Sequence, residues 1–237
     1  MRMSRFAGAN GRYTPSCEKG VCALTGNRAT SKLESEIFTL LDYVLGPGKQ
    51  DVQAYLLGRA CRIDMLFPSL GARALIVEYD GAHWHKGNEE WDWRKSQAMQ
   101  DGWHPHDHNV VVRIREQPLT PLGWLDVTVP ARANALLCTR MTLLHLLHTE
   151  LDVFGDRYPR VQEFLRVSSQ PLARDEVHCD GCWNAAEYFI PGDLLVPTLR
   201  RRQRPPEPAV NAATESRRSR RSRRSRQYNG EQRLPGL

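Results

Sequence analysis

The sequence predicts an α/β fold, a mixed sheet flanked by helices, followed by a helical extension and a basic tail. Three observations predict it. Residues 74 to 79 are almost unbroken apolar or aromatic positions, which reads as a strand buried on both faces. Helix-like and strand-like segments alternate from residue 31 to residue 116. Beyond Arg200 the composition shifts to arginine, serine and proline, which cannot form a core.

The chain of 237 residues is long enough for one sizeable core with appendages, or for two small domains. The organisation expected is a loop segment over 1–30, a core over 31–128, a helical extension over 129–199 and a disordered Arg-rich tail over 200–237. The formal charge of +6 conceals a split. Twelve Arg against three Glu give the tail about +9, so the preceding 199 residues carry about −3 and are not basic. No window approaches 18 uninterrupted apolar residues and the first ten residues hold no apolar stretch, so a cytoplasmic protein without membrane span or signal peptide is expected.

Residues 1–30 show no sustained period and carry Cys17 and Cys22. A helix starts at Ser31: the serine can cap, Glu34 lies three residues on as a capping box requires, and Leu33, Ile37, Leu40, Leu41 and Val44 make an apolar stripe that stops at Gly46-Pro47-Gly48. Glu34 and Glu36 are either solvated first-turn acids that complement the helix dipole or part of a site. Two short strands follow, 53–57 and 61–67, with a turn at Gly58-Arg59. Asp64 sits in the middle of the second, which is unusual for a strand; pairing with Arg62 or Arg73 is the structural alternative to a functional role.

The strand over 74–79 carries Glu78 and ends in Asp80. Carboxylates are rarely buried unless they are paired or bound to metal, so Glu78 is expected to have a partner of opposite charge, with a divalent cation as the foremost candidate. Gly81, His83, Trp84 and His85 follow. A helix over 89–100 carries Asp92, Arg94, Lys95 and Gln97, and a second buried strand over 109–115 ends in Arg113 and Arg115. The three histidines in residues 104–108 read as a polar loop or a metal site. A long helix is expected over 130–154, with Leu136, Leu137, Leu143, Leu144, Leu147 and Leu151 toward the core and His145 and His148 on its surface.

The six cysteines, in a chain without a secretion signal, are expected to be reduced. Cys179 and Cys182 form a Cys-x-x-Cys knuckle, half of a tetrahedral zinc site. Cys17 and Cys22 are the natural other half, with His178 in reserve; the alternative is four reduced thiols.

Asp64, Glu78 and Asp80 gathered at one sheet edge would bind Mg²⁺ or Mn²⁺, hard cations that prefer oxygen ligands. Such a metal activates water and stabilises the charge that develops when a phosphodiester is cut, and a nearby His can move the proton.

The segment Glu78-Tyr79-Asp80-Gly81-Ala82-His83-Trp84-His85, with a helix acid before it and Asp64 on the preceding strand, resembles the PD-(D/E)XK nuclease superfamily, and within it the branch of the very-short-patch repair endonucleases. The resemblance covers roughly residues 31 to 116 and implies an αβββαβ restriction-endonuclease-like core. It makes Asp64 a metal ligand, Glu78 and Asp80 its companions, His85 the general acid or base, and Glu36 or Glu34 a positioning acid. The superfamily lysine falls on Asp80 here, so either Lys95 reaches in from the next helix or His85 takes over. The repair branch carries a histidine at that position, so its mismatch specificity does not transfer.

The function expected is a metal-dependent DNA endonuclease. Arg217, Arg218, Arg220, Arg221, Arg223, Arg224 and Arg226 would supply phosphate affinity, and Trp84, Trp91, Trp93 and Trp103 stacking surfaces or buried core. The alternative is a non-catalytic nucleic-acid-binding protein on a nuclease-like scaffold, against which the acids speak because they repel phosphate. The residues select neither DNA over RNA nor an oligomeric state.

Overall fold

The computed structural model of the chain describes residues 31–70, 73–101, 109–167 and 170–198, together with two short antiparallel strands, β1 (Arg5–Ala7) and β2 (Tyr13–Pro15). Cys17, Cys22, Trp103, the histidines of 104–108 and the arginines from 217 to 226 lie outside the described residues.

Helix α1 (Lys32–Leu45) opens with the capping box that its sequence predicts. The Glu34 amide donates to Ser31 Oγ and the Ser31 amide donates to Glu34 Oε2, each at 3.1 Å. The chain then lays down a hairpin of β3 (Lys49–Leu56) and β4 (Arg59–Leu70). Its turn is Leu57-Gly58, one residue earlier than the sequence suggests, because a two-residue turn matching the strand twist needs positive φ at both positions (53° and 78°). Strand β5 (Arg73–Asp80) is central. It pairs antiparallel with β4 and parallel with β6 (Val110–Glu116), and β6 pairs in parallel with β7 (Val127–Val129), giving a mixed five-stranded sheet in the order β3-β4-β5-β6-β7. Between β5 and β6 run the short turn α2 (Ala82–His85) and helix α3 (Glu89–Gln100).

Alternation along the strands splits the core in two. Met65, Phe67, Leu75, Val77, Val112 and Ile114 pack toward α1 and α4 (Ala135–Thr149), whereas Leu66, Ile76 and Val111 meet Met99 of α3. Helix α4 is buried nearly all round, from Leu137 to Leu147, and each fully buried Leu contributes about 1.5–3 kcal/mol. It is shorter than the expected 130–154. Asn134 caps its start by accepting the Leu137 amide at 2.8 Å, and a 3₁₀ turn over Leu151–Arg157 with Gly155 at φ 46° follows its end. Helices α5 (Tyr158–Arg166) and α6 (Asp180–Phe189) add Val161, Leu165, Cys182 and Ala186 to the same apolar cluster, so the extension shares its core with the sheet. Among the described residues no helix is long and apolar enough to cross a membrane.

Candidate active site

The site forms where the middle of β4 meets the C-terminal end of β5, beside α1 and α3. Next to the Met65–Val77 rung, side chains take over the backbone hydrogen bonding: the Asp64 amide donates to Glu78 Oε1 (3.2 Å) and the Tyr79 amide to Asp64 Oδ2 (2.8 Å). Both carboxylates therefore reach the wall of one cleft of about 670 Å³, lined also by Glu34, His83, Trp84, His85, Lys95 and Glu116. The structural alternative for Asp64 does not occur, because Arg62 pairs with Asp51 and Arg73 with Glu150.

Lys95, from the buried side of α3, forms an ion pair with Glu78. Burial lowers the lysine's pKa, but the charges of Glu78 and Asp64 outweigh it and hold the ammonium above its usual range. Among the described residues no Lys or Arg nitrogen comes within ion-pair distance of Asp64. Burial first, and the neighbouring Glu78 charge second, push its carboxyl well above the usual carboxylate range.

Asp80, expected beside these two as a metal ligand, belongs instead to a buried ion-pair network. Arg113 grips it with two nitrogens (2.6 and 2.7 Å) and Arg115 with a third (2.5 Å), while Asp92 of α3 lies 3.4 and 3.7 Å from the same guanidinium groups. The strand register explains it: Glu78 pairs with Arg113 and Asp80 with Arg115, so both acids and both arginines project to one face. Arg113 wins over burial and lowers the Asp80 pKa.

His85 joins this network through Nδ1, 2.8 Å from Asp92 and 3.3 Å from Asp80. Burial lowers its pKa, but the Asp92 hydrogen bond and the two aspartate charges outweigh burial and raise it. A raised His pKa stabilises the fold at pH below the unfolded-state value near 6.5, and that stability is lost as pH rises through the folded-state value. Thermal melts should therefore show wild-type protein losing stability across that interval, and His85→Gln should flatten the loss; an unchanged profile would disconnect His85 from the aspartates. The ring is held by α2, whose first amide, Ala82, donates to Glu116 Oε2 at 3.0 Å.

Glu36 lies away from the cleft, 3.5 Å from the exposed Lys32, so Glu34 is the helix acid that the structure brings to the site. Of the tryptophans, Trp84 lines the cleft and is 76% exposed; Trp93 is also exposed.

Among the described residues, two groups of side chains bring ligand atoms within 4.8 Å of one another: Asp80, His85 and Asp92, and His145, His148, Cys179 and Cys182. In the first, the carboxylate oxygens already face two guanidinium groups, which oppose a further cation. In the second, the two histidines expected on the surface of α4 take part, and His145 is only 3% exposed, because its ring packs under α6. His178, the reserve ligand, instead accepts the Thr128 amide on Nδ1 at 3.0 Å.

Asp92, Arg113, Arg115, Glu116, His145 and His148 were not assigned site roles by the sequence. One signal was present for the arginines: Glu-x-Asp and Arg-x-Arg on strands that pair in register place opposite charges side by side. No protein-family model matches the chain, and no curated protein or solved structure matches it either. What the cleft does therefore rests on its own geometry.

Proposed function

We propose that this chain is a Mg²⁺- or Mn²⁺-dependent endonuclease that hydrolyses phosphodiester bonds in DNA, with Asp64 and Glu78 as the metal ligands. The observation that carries this reading is Asp64 beside Glu78 on one cleft wall, with a cation on Glu78 and none paired to Asp64. Glu78 is paired with Lys95 and lies 3.8 Å from Arg113. Asp64 beside it has no paired cation among the described residues, a role that a divalent ion would fill, and an all-oxygen donor set suits a hard cation. The element order α1-β3-β4-β5-α3-β6 follows the αβββαβ pattern of the PD-(D/E)XK superfamily, with Lys95 of α3 in place of a strand lysine.

When bound, the metal lowers the pKa of its water and polarises the phosphate. Lys95 pairs with Glu78 and places a positive charge at the cleft wall. His85 holds its Nδ1 on Asp92, which leaves Nε2 as the nitrogen that gives a proton to the leaving oxygen or takes one from water. Its raised pKa favours the acid role. Glu34 adds an acidic oxygen at the rim. The Arg-rich tail, about +9, supplies sequence-independent affinity for the phosphate backbone that weakens with salt.

The test is conversion of supercoiled plasmid to nicked or linear DNA by the full chain with Mg²⁺ or Mn²⁺, stopped by EDTA. DNA bound but never cut with either metal would favour the binding-protein alternative. Trp84 is expected to stack on a base at the rim. In a catalytically silent background, Trp84→Ala should weaken single-strand binding by about 1–3 kcal/mol, read by fluorescence anisotropy. Unchanged affinity would remove the stacking role.

A further inference from the structure

Away from the cleft, α4 and α6 carry four side chains whose spacing is that of a metal centre. Cys179 Sγ and Cys182 Sγ are 3.5 Å apart, and His145 Nδ1 and His148 Nε2 are 3.2 Å apart. The cross distances are 3.5 Å from Cys182 Sγ to His145 Nδ1 and 3.6 Å from Cys179 Sγ to His148 Nε2. For zinc bonds of about 2.3 Å to sulfur and about 2.05 Å to nitrogen, a regular tetrahedron has edges of about 3.8 Å (S–S), about 3.3 Å (N–N) and about 3.6 Å (S–N). Four edges of the group fall within about 0.3 Å of these values, and one ligand atom from each of the four residues lies within 4.8 Å of the others.

The surroundings fit a metal rather than a chance cluster. His145 Nε2 donates to the Trp124 carbonyl at 2.9 Å, which fixes the tautomer and turns the Nδ1 lone pair toward the thiols. Cys179 caps α6, and its sulfur accepts the Cys182 amide at 3.4 Å, which fixes that sulfur at the start of the helix beside the second cysteine. Both thiols are free. At Gly181, between the cysteines, a Cβ would lie 2.7–2.9 Å from the His148 ring, so the absence of a side chain lets that ring close over the knuckle. Cys182 and His145 are buried, while His148 is exposed and Cys179 half-buried, which leaves the ion a way in.

We propose that His145 Nδ1, His148 Nε2, Cys179 Sγ and Cys182 Sγ hold a structural Zn²⁺ that ties α4 to α6. Four protein ligands close the coordination sphere, so the ion has no open position for substrate and its role is to hold the fold. Soft thiolates select zinc over the magnesium of the cleft.

The test uses the full chain in three measurements. Elemental analysis after exhaustive dialysis should find one zinc per chain. Replacement by Co²⁺ should give the intense absorption of a tetrahedral ion with thiolate charge-transfer bands, which the sulfur-free Asp80, His85 and Asp92 group cannot produce. His148→Ala, a change at an exposed position, and Gly181→Ala should each lower zinc affinity at least tenfold against a chromophoric chelator. Removing the zinc should lower the melting temperature by several degrees. The proposal is overturned by a chain without stoichiometric metal, by a cobalt spectrum without thiolate bands, by an oxidised Cys179–Cys182 pair in the purified protein, or by zinc that survives both substitutions and is lost in Cys17→Ser.

Discussion

Asp64→Asn is expected to reduce Mg²⁺-dependent plasmid cleavage by about 10³-fold or more while leaving the metal-free protein as stable as wild type, or more so. The activity loss follows from removing a metal ligand, since the ion supplies several kcal/mol of transition-state stabilisation and each 1.4 kcal/mol is about tenfold in rate. The stability result follows from the surroundings of Asp64: it is placed beside Glu78, its carboxyl is pushed up by burial and by that charge, and among the described residues no ion pair compensates it. Asparagine keeps an oxygen to accept the Tyr79 amide and drops the repulsion. Glu78→Gln should be equally inactive yet less stable, because it strands the Lys95 ammonium in a buried position. Cleavage assays and chemical denaturation of the two variants measure both effects. A protein that loses stability but not cleavage in Asp64→Asn would have used the acid for its fold alone.

The second large effect concerns the network behind the cleft. Arg113→Met should cost about 3–5 kcal/mol, because Asp80 and Asp92 are left buried with Arg115 as their remaining guanidinium partner. For a domain of this size that corresponds to a fall in melting temperature on the order of 10 °C. Arg62→Ala is the control: its partner is Asp51, its side chain is 41% exposed, and pairs of that kind contribute about 0–1 kcal/mol. A small shift for Arg113→Met would show that water reaches the network and compensates the aspartates. The same network holds the His85 ring, so Arg113→Met should also slow cleavage.

Much of the fold could be read from local signals, and most of the site's pairing could not. The Ser31–Glu34 box, the apolar run of β5 and the hairpin each arise from neighbours in sequence; the first two form where expected, and the hairpin forms with longer strands and its turn one residue earlier. The stretch from Val127 to Val129 is too short to show a period, and it becomes a strand only because β6 offers a free edge. Asp80 looked like a metal ligand because an acid at the end of a buried strand needs a cation. Which cation answers it depends on the parallel register with β6, and that register places Arg113 and Arg115 alongside. Lys95 was one of two candidates for the missing lysine, and the helix that carries it turns it inward to Glu78. The histidines of α4 sit three residues apart in a largely apolar helix, and their partners lie more than thirty residues away on α6; only the packing of the two helices brings them together.

A crystal of the full chain soaked in Mn²⁺ and measured at the manganese absorption edge tests the central claim most directly. The account predicts an anomalous peak bound by the carboxylates of Asp64 and Glu78, within the cleft that Lys95 and His85 line, and no peak in the Asp64→Asn protein. A peak among Asp80, His85 and Asp92 instead, or a cleft that stays free of metal at millimolar Mn²⁺, would contradict it.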